Sequence, residues 1–515
     1  MNPAPTPYSD VNEILQRLHT EITAILKDQL VGMFLFGSLA NGDFDQHSDI
    51  DVLVVTAHEI SKDEFSALRD MHLEIAKLNS PWAVQQEVSY MPRTALRRYE
   101  PPNIHHPYLD RGEGETLHTR PHASDWIIQR HLLRERGIVI VGPDLKTLID
   151  PVTPQEIRQA VIDVLPLWID PILNDPTKIS GRGYQSFCVL SLCRMLYTLQ
   201  NKAILSKPAA AQWAIANLDS KWAPLIKRAI IGRQNPTLNA ELEDNTATLE
   251  MMRYVSECTQ QPSIYPDVNQ LLKQLLQSTK EVLQAQFIGM YLYGSLSSGD
   301  FNPETSDIDY LIITNDILTD EMISKLKAMH DATWAISLKR AGELEGAYVP
   351  KDLIRKHDPN GVPCPIINEG KFLVAPLGSD WIIQRHVVRE YGISVEGPDP
   401  KSLIDFVSPD DIRSAVMSIL HEWWFPMLND PSWLRDHDSG YHSFAILSMC
   451  RALHALEHGT IVSKPAAAKW AQGRFRQRWS DIIELALHSQ KTTMDRFDLL
   501  DPALEFIRYV KDNHS

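Results

Sequence analysis

Two short stretches of this chain pair carboxylates in a way that a hydrophobic core would not tolerate. Ser48-Asp49-Ile50-Asp51 opens the apolar run Val52 to Val55, and Ser306-Asp307-Ile308-Asp309 opens the run Tyr310 to Ile313. The runs read as strands, and a strand alternates its faces, so aspartates two apart point the same way. Carboxylates side by side suit a hard cation, because Mg²⁺ takes carboxylate and phosphate oxygens in near-octahedral geometry. Ahead of each pair stands another apolar run ending in a small turn, Phe34-Leu35-Phe36-Gly37-Ser38 and Tyr291-Leu292-Tyr293-Gly294-Ser295. A Gly-Ser turn lets backbone N–H groups and a hydroxyl come close to a phosphate.

A third carboxylate keeps step with these pairs. Glu87 lies 36 residues past Asp51, and Glu345 lies 36 past Asp309. Each lies in a matching stretch that runs up to a proline, Glu87 to Pro92 and Glu345 to Pro350, although residues 57–83 and 315–340 have diverged. Gly-Ser, ten or eleven residues, then Asp-x-Asp resembles the signature of the polymerase-β-like nucleotidyltransferase superfamily. The resemblance implies in-line attack of a hydroxyl on a nucleotide α-phosphorus, with metal ions clamping the attacking and leaving oxygens. Asp49, Asp51, Asp307 and Asp309 are then the expected Mg²⁺ ligands, two ions per site. Glu87 and Glu345 are expected to act as general bases or to share a metal, and Gly37, Ser38, Ser48, Gly294, Ser295 and Ser306 are the expected phosphate-side contacts.

Basic residues follow at matching places. Arg194 interrupts the apolar helical run Phe187 to Tyr197, and Arg451 interrupts its counterpart. An arginine in such a run calls for an anionic partner. Lys207 and Lys464 each open Ser-Lys-Pro-Ala-Ala-Ala, a helix start. A lysine there opposes the helix dipole unless an outside anion is expected. This order, with Ser206-Lys207-Pro208-Ala209-Ala210-Ala211-Gln212-Trp213-Ala214 carrying it most clearly, resembles the aminoglycoside adenylyltransferases that modify streptomycin and spectinomycin. That resemblance implies ATP lying between two halves of a unit, with Arg194 and Lys207, or Arg451 and Lys464, on its triphosphate. The implied activity is AMP transfer to a hydroxyl of a small molecule, an aminoglycoside or spectinomycin-like antibiotic among the candidates. AMP transfer to a protein or RNA, or nucleotide sensing by an inactive unit, are the alternatives.

The chain departs from that family where the acceptor is chosen. Gly183-Tyr184-Gln185-Ser186 and Gly440-Tyr441-His442-Ser443 stand where the antibiotic enzymes carry acidic residues. Lys178 and Arg182 lie near the first stretch, Asp436 and Asp438 near the second, so the two units are expected to differ in acceptor.

The elements that position these residues come twice. Asp10-Val11-Asn12 returns as Asp267-Val268-Asn269, and Ser124-Asp125-Trp126-Ile127-Ile128-Gln129-Arg130-His131 returns from Ser379 to His386. A period near 257 residues means two whole units in tandem, joined between Cys258 and Pro266. The expected fold is α+β: nucleotidyltransferase domains over 1–152 and 265–407, helical domains over 153–260 and 408–515. Helices are predicted over 10–29, 63–78, 125–137 and 184–201, strands over 85–91 and 138–141, and a long loop over the site between Tyr99 and Arg120. His105, His106, His118 and His122 fall in or beside that loop, but the second unit lacks them, which argues against zinc.

Composition narrows the setting. The chain has 515 residues and a formal net charge of −16, which argues against general nucleic-acid binding. Its five cysteines are odd in number and form no C-x-x-C, as expected of free thiols in a reducing cytoplasm. No apolar run reaches membrane-spanning length, and two fused units are compatible with a monomer.

Overall fold

The computed structural model describes residues 4–99, 105–335, 340–358, 360–437, 439–475, 477–489 and 499–514. The chain forms two compact units, Met1–Gln260 and Gln261–Ser515. The division falls inside the stretch read as the joint, although a helix persists through Thr259.

The first unit begins with α1 (Ser9–Leu26), which buries Val11, Ile14, Leu15, Leu18, Ile22 and Leu26 along one stripe. There follow β1 (Leu30–Leu35), α2 (Gly37–Asn41), β2 (Ile50–Thr56), α3 (Lys62–Ile75), β3 (Gln86–Pro92) and α4 (Arg93–Arg97). Then come β4 (His105–Leu109), β5 (His118–Pro121), α5 (Asp125–Arg136), β6 (Ile138–Val141) and α6 (Leu145–Leu148). The strands form one sheet in the order β5-β4-β3-β2-β1-β6. β2 and β3 run parallel, joined over the sheet by α3, whose start is fixed by a Ser61–Glu64 capping box. Except for Asp51, β2 is buried along its whole length.

The helical half starts at α7 (Pro154–Asn174), where Thr153 and Glu156 form a capping box and proline takes the first turn. α8 (Arg182–Asn201), α9 (Lys207–Asn217), α10 (Ala223–Gly232) and α11 (Leu242–Thr259) complete it.

The second unit repeats the plan. Its elements are α12 (Pro266–Leu283), β7 (Phe287–Leu292), α13 (Gly294–Ser298), β8 (Ile308–Thr314), α14 (Asp320–Ala335), β9 (Leu344–Pro350) and α15 (Lys351–Arg355). β10 (Cys364–Asn368), β11 (Lys371–Ala375), α16 (Asp380–Tyr391), β12 (Ile393–Glu396) and α17 (Pro400–Leu403) close a sheet ordered β11-β10-β9-β8-β7-β12. Its helical half holds α18 (Pro409–Ile419), α19 (Ser432–Asp436), α20 (Ser439–His458), α21 (Lys464–Arg474), α22 (Gln477–Ser489) and α23 (Leu500–His514). Each unit is thus α+β, as expected.

Two local expectations change. The Gly-Ser turns are one-turn helices, α2 and α13, which point several amides the same way instead of one. The expected loop between Tyr99 and Arg120 holds the strand β4 and most of the edge strand β5. Every side chain of β5 is exposed, so it has no buried face to make the alternation visible. Residues 100–104 of that stretch lie outside the described residues.

The repeated octapeptide belongs to this architecture. Arg130 is buried and donates to the carbonyls of Leu96 at 2.7 Å and Arg98 at 2.9 Å, tying α5 to the end of α4. Arg385 does the same for the Ile354 carbonyl at 2.7 Å. All five cysteines are buried and free. Among the described residues no helix is long and apolar enough to cross a membrane.

Candidate active site

The carboxylates meet because of strand register. Asp51 on β2 lies opposite Glu87 on β3, and Asp309 on β8 lies opposite Glu345 on β9. Neighbouring strands are about 4.8 Å apart, so each facing pair is forced together on one face of its sheet. Asp49 completes the first group: it, Asp51 and Glu87 each offer an oxygen within 4.8 Å of the others. This is the one such metal-capable group among the described residues. In the second unit Asp307 is exposed and the three carboxylates are less tightly gathered.

The glycine of each Gly-Ser pair makes the approach possible. Gly37 has φ +62°, and a Cβ there would sit 1.7 Å from Asp51 Oδ2. Gly294 has φ +61°, with Asp309 Oδ2 at 1.8 Å from the same added atom. Only glycine satisfies both demands, the left-handed backbone and the lack of a side chain. α2 and α13 therefore start against the second aspartate of each pair. The Ser295 amide donates to the Asp309 carboxylate. Ser38 Oγ is buried with no partner, an orphaned hydroxyl beside the carboxylates.

The Ser48 hydroxyl, expected on the phosphate side, is engaged within its own loop. It accepts from the Asp45 amide at 3.0 Å and from Arg233 at 3.2 Å, and donates to Asp45 at 3.1 Å. Ser306 likewise accepts from the Asn302 amide at 2.9 Å. Both serines shape the loop that delivers the aspartates. Arg233, from the helical half, pairs with Asp45 at 3.0 Å and fastens that loop to α10.

The basic residues come from the same unit's helical half. Arg194 on α8 is buried, which lowers its pKa, while Asp51, Asp43 and Asp49 oppose that shift. Lys207, the first residue of α9, has a pKa pushed down to about 8 by burial and then by Arg194, with Asp49 and Asp51 pulling the other way. Its ammonium rests on the Phe187 ring, 4.2 Å from the centroid. The second unit matches: Lys464 falls to about 7 through burial and Arg451, and sits 4.0 Å over Phe444. The aromatic seats seven residues before each arginine escaped sequence reasoning, although Phe187 and Phe444 were visible at one spacing.

The carboxylates are pushed the opposite way. Asp51 is raised well above the usual range by burial, then by Asp49 and Glu87. Glu87 is raised by burial and Asp49, and accepts a hydrogen bond from Tyr108 at 2.9 Å. Asp309 rises to about 7 through burial, Glu345 and Asp307. Like charges are thus crowded on each wall: carboxylates on the sheet, cations on the helices. Such a site suits a multivalent cation among the oxygens and a polyanion across the cleft.

Other expected residues serve structure. Arg182 pairs with the buried Asp244, which also takes Arg228 at 2.7 Å, so Arg182 braces the helical half. His106 and His122 touch at 3.0 Å, yet no metal-capable group forms there among the described residues. Asp438 lies outside the described residues.

Comparison with known families agrees with the duplication. The nucleotidyltransferase domain family matches residues 16–103 and again 272–356. The aminoglycoside adenylyltransferase C-terminal domain family matches residues 147–257 and again 402–513. The chain is a nucleotidyltransferase of the aminoglycoside adenylyltransferase family, present as two tandem copies. Single-copy members of that family are similar to it. Spectinomycin 9-adenylyltransferase of Staphylococcus aureus is 29% identical over 222 residues, 42% of this chain and 82% of its own length. The Campylobacter jejuni spectinomycin 9-adenylyltransferase is 27% identical over 259 residues, 47% and 96%. The aminoglycoside (3'') (9) adenylyltransferase of Escherichia coli is 26% identical over 245 residues, 45% and 87%. Both copies of this nucleotidyltransferase keep the carboxylate wall and the basic wall.

Proposed function

We propose that each unit transfers AMP from ATP to a hydroxyl of a small molecule, with Mg²⁺, and that aminoglycoside or spectinomycin-like compounds are among the acceptors. The division of labour is the one read from sequence: nucleotidyltransferase domains over 1–152 and 265–407, helical domains over 153–260 and 408–515. The observation that carries the reading is the gathering of Asp49, Asp51 and Glu87 within 4.8 Å, coupled to Arg194 and Lys207 of the same unit.

Asp49 and Asp51, and Asp307 and Asp309, hold the metal, two ions per site by the carboxylate count. The bound metal supplies charge neutralisation at the attacking and leaving oxygens. The amides that open α2 and α13, the Ser38 and Ser295 hydroxyls, Arg194 with Lys207, and Arg451 with Lys464 bind the phosphates. Glu87 or Glu345 takes the proton of the acceptor hydroxyl, whose oxygen bonds to the α-phosphorus as the bond to pyrophosphate breaks. Burial raises the affinity of both glutamates for that proton. Five cysteines, none of them in a disulfide, suit a reducing cytoplasm.

The test is incubation of the full chain with α-³²P-ATP, Mg²⁺ and an acceptor panel. Label on a small molecule, lost on adding EDTA, supports the reading. Label on protein or RNA alone, or ATP binding without transfer, contradicts it.

A further inference from the structure

The hairpin beside the general base sets a different charged residue against the carboxylate wall in each copy, Arg111 in the first and Glu369 in the second. In the first unit the segment between β4 and β5 brings Arg111 to Asp49, 3.1 Å away. Arg120 on β5 lies over the Tyr108 ring, 4.8 Å from its centroid, and Tyr108 holds Glu87. Asp110 is also there, paired with His118 at 3.5 Å. In the second unit the turn between β10 and β11 is only Glu369-Gly370, both with positive φ. That turn gives the Glu369 amide to Glu345 at 3.4 Å and the Glu369 carboxylate to the Tyr441 hydroxyl at 3.2 Å.

The acceptor hydroxyl must reach the base, and the phosphates belong to the opposite, basic wall. Groups on the hairpin therefore face the acceptor. The second unit also holds a cavity of about 410 Å³ lined by Asp380, Glu422, Trp423 and Arg451. Ser448, which also lines it, is nine-tenths buried and its hydroxyl has no partner.

We propose that this hairpin sorts acceptors by charge: the second site takes an acceptor bearing ammonium groups, while Arg111 turns such acceptors away from the first site, which takes a neutral or anionic one. Glu369 and Arg111 are then specificity-determining residues, and one chain modifies two acceptor classes. The inference rests on the adenylyl-transfer reading.

Its test uses the full chain with one site disabled, Asp307→Asn to leave the first and Asp49→Asn to leave the second. Streptomycin and spectinomycin are the cationic probes, titrated by calorimetry with Mg²⁺ and a non-hydrolysable ATP analogue. The expected result is binding at the second site at least tenfold tighter than at the first. Glu369→Gln should weaken it at least tenfold with the nucleotide affinity unchanged, and Arg111→Glu should bring the probes to the first site. Equal affinities at the two sites, no probe binding at the second, or no effect of Glu369→Gln overturns the charge sorting. Nucleotide affinity in the same samples separates the failures: if the analogue with Mg²⁺ fails to bind either site, the adenylyl-transfer reading falls as well.

Discussion

Asp51 and Glu87 face each other across two parallel strands, and Asp309 and Glu345 repeat that register in the second copy. The pairing sets like charges together in buried surroundings, which costs stability unless a cation joins them. It also separates roles, since an aspartate that ligates metal and a glutamate that takes a proton fail differently. In the Asp307→Asn background, Glu87→Gln should lower kcat by roughly 10²–10⁴-fold, the usual worth of a general base. The KM for ATP should hardly move, because Glu87 does not touch the triphosphate in this account. Steady-state kinetics checks both, and a large rise in KM with kcat intact would assign Glu87 to nucleotide binding.

Gly37→Ala is a small change with a large expected effect. The added methyl would meet the Asp51 carboxylate at 1.7 Å, at a φ that L-residues rarely adopt. The carboxylate must swing aside or the first turn of α2 must shift. The expected result is a loss of first-site activity of at least about a hundredfold, the scale of an ångström-level misplacement, with about 1–3 kcal/mol lost in stability. Chemical denaturation and single-site kinetics measure the two parts.

Lys207 and Arg194 crowd two cations in a buried wall. Without nucleotide the pair repels; with a triphosphate between them it attracts. Lys207→Met should therefore raise the melting temperature of the nucleotide-free protein and weaken ATP binding at the first site about tenfold or more. Thermal melts with and without ATP and Mg²⁺ read both signs. A drop in both would make Lys207 a structural residue.

How much of this was legible beforehand differs by element. The carboxylates, the glycines, Arg194, Lys207 and their twins could be read because the chemistry needs those residue types at fixed spacing, and the chain states the spacing twice. β1, β2 and β6 were legible as apolar runs. The hairpin strands β4 and β5 were not: β5 is a fully exposed edge strand that leaves no period, and β4 is a short strand, His105–Leu109, in a stretch rich in Pro, Gly and His. With them went Tyr108, Arg111 and Glu369, whose relevance arises from a sheet edge folding back toward the base. Arg182 and Ser48 have types that suit an anion, and only their partners, Asp244 and Asp45, show the other use.

Acid should weaken both units through their buried histidines, His72 and His330 among them. His72 bonds the Tyr90 hydroxyl at 2.7 Å and burial pushes its pKa down to about 3. His330 bonds Tyr348 at 2.8 Å and falls to about 4. The unfolded chain protonates histidine near 6.5 while the folded units resist. The stability is fully present above pH 6.5 and is lost as pH falls toward 3 or 4, by up to about 1.4 kcal/mol per pH unit for each histidine. Urea melts from pH 7.5 to 5 should show this slope, and His72→Gln should reduce it for the first unit alone, where His106 and His122 also resist protonation. An unchanged slope would place the acid sensitivity elsewhere.

The central claim is that each unit holds a complete cleft of its own, with carboxylates and cations from one copy. AMP transfer from α-labelled ATP by Asp49→Asn, Asp307→Asn and the double variant tests it most directly. Each single variant should keep part of the wild-type transfer and the double variant should keep none. Complete loss in either single variant, or transfer surviving in the double variant, would contradict it.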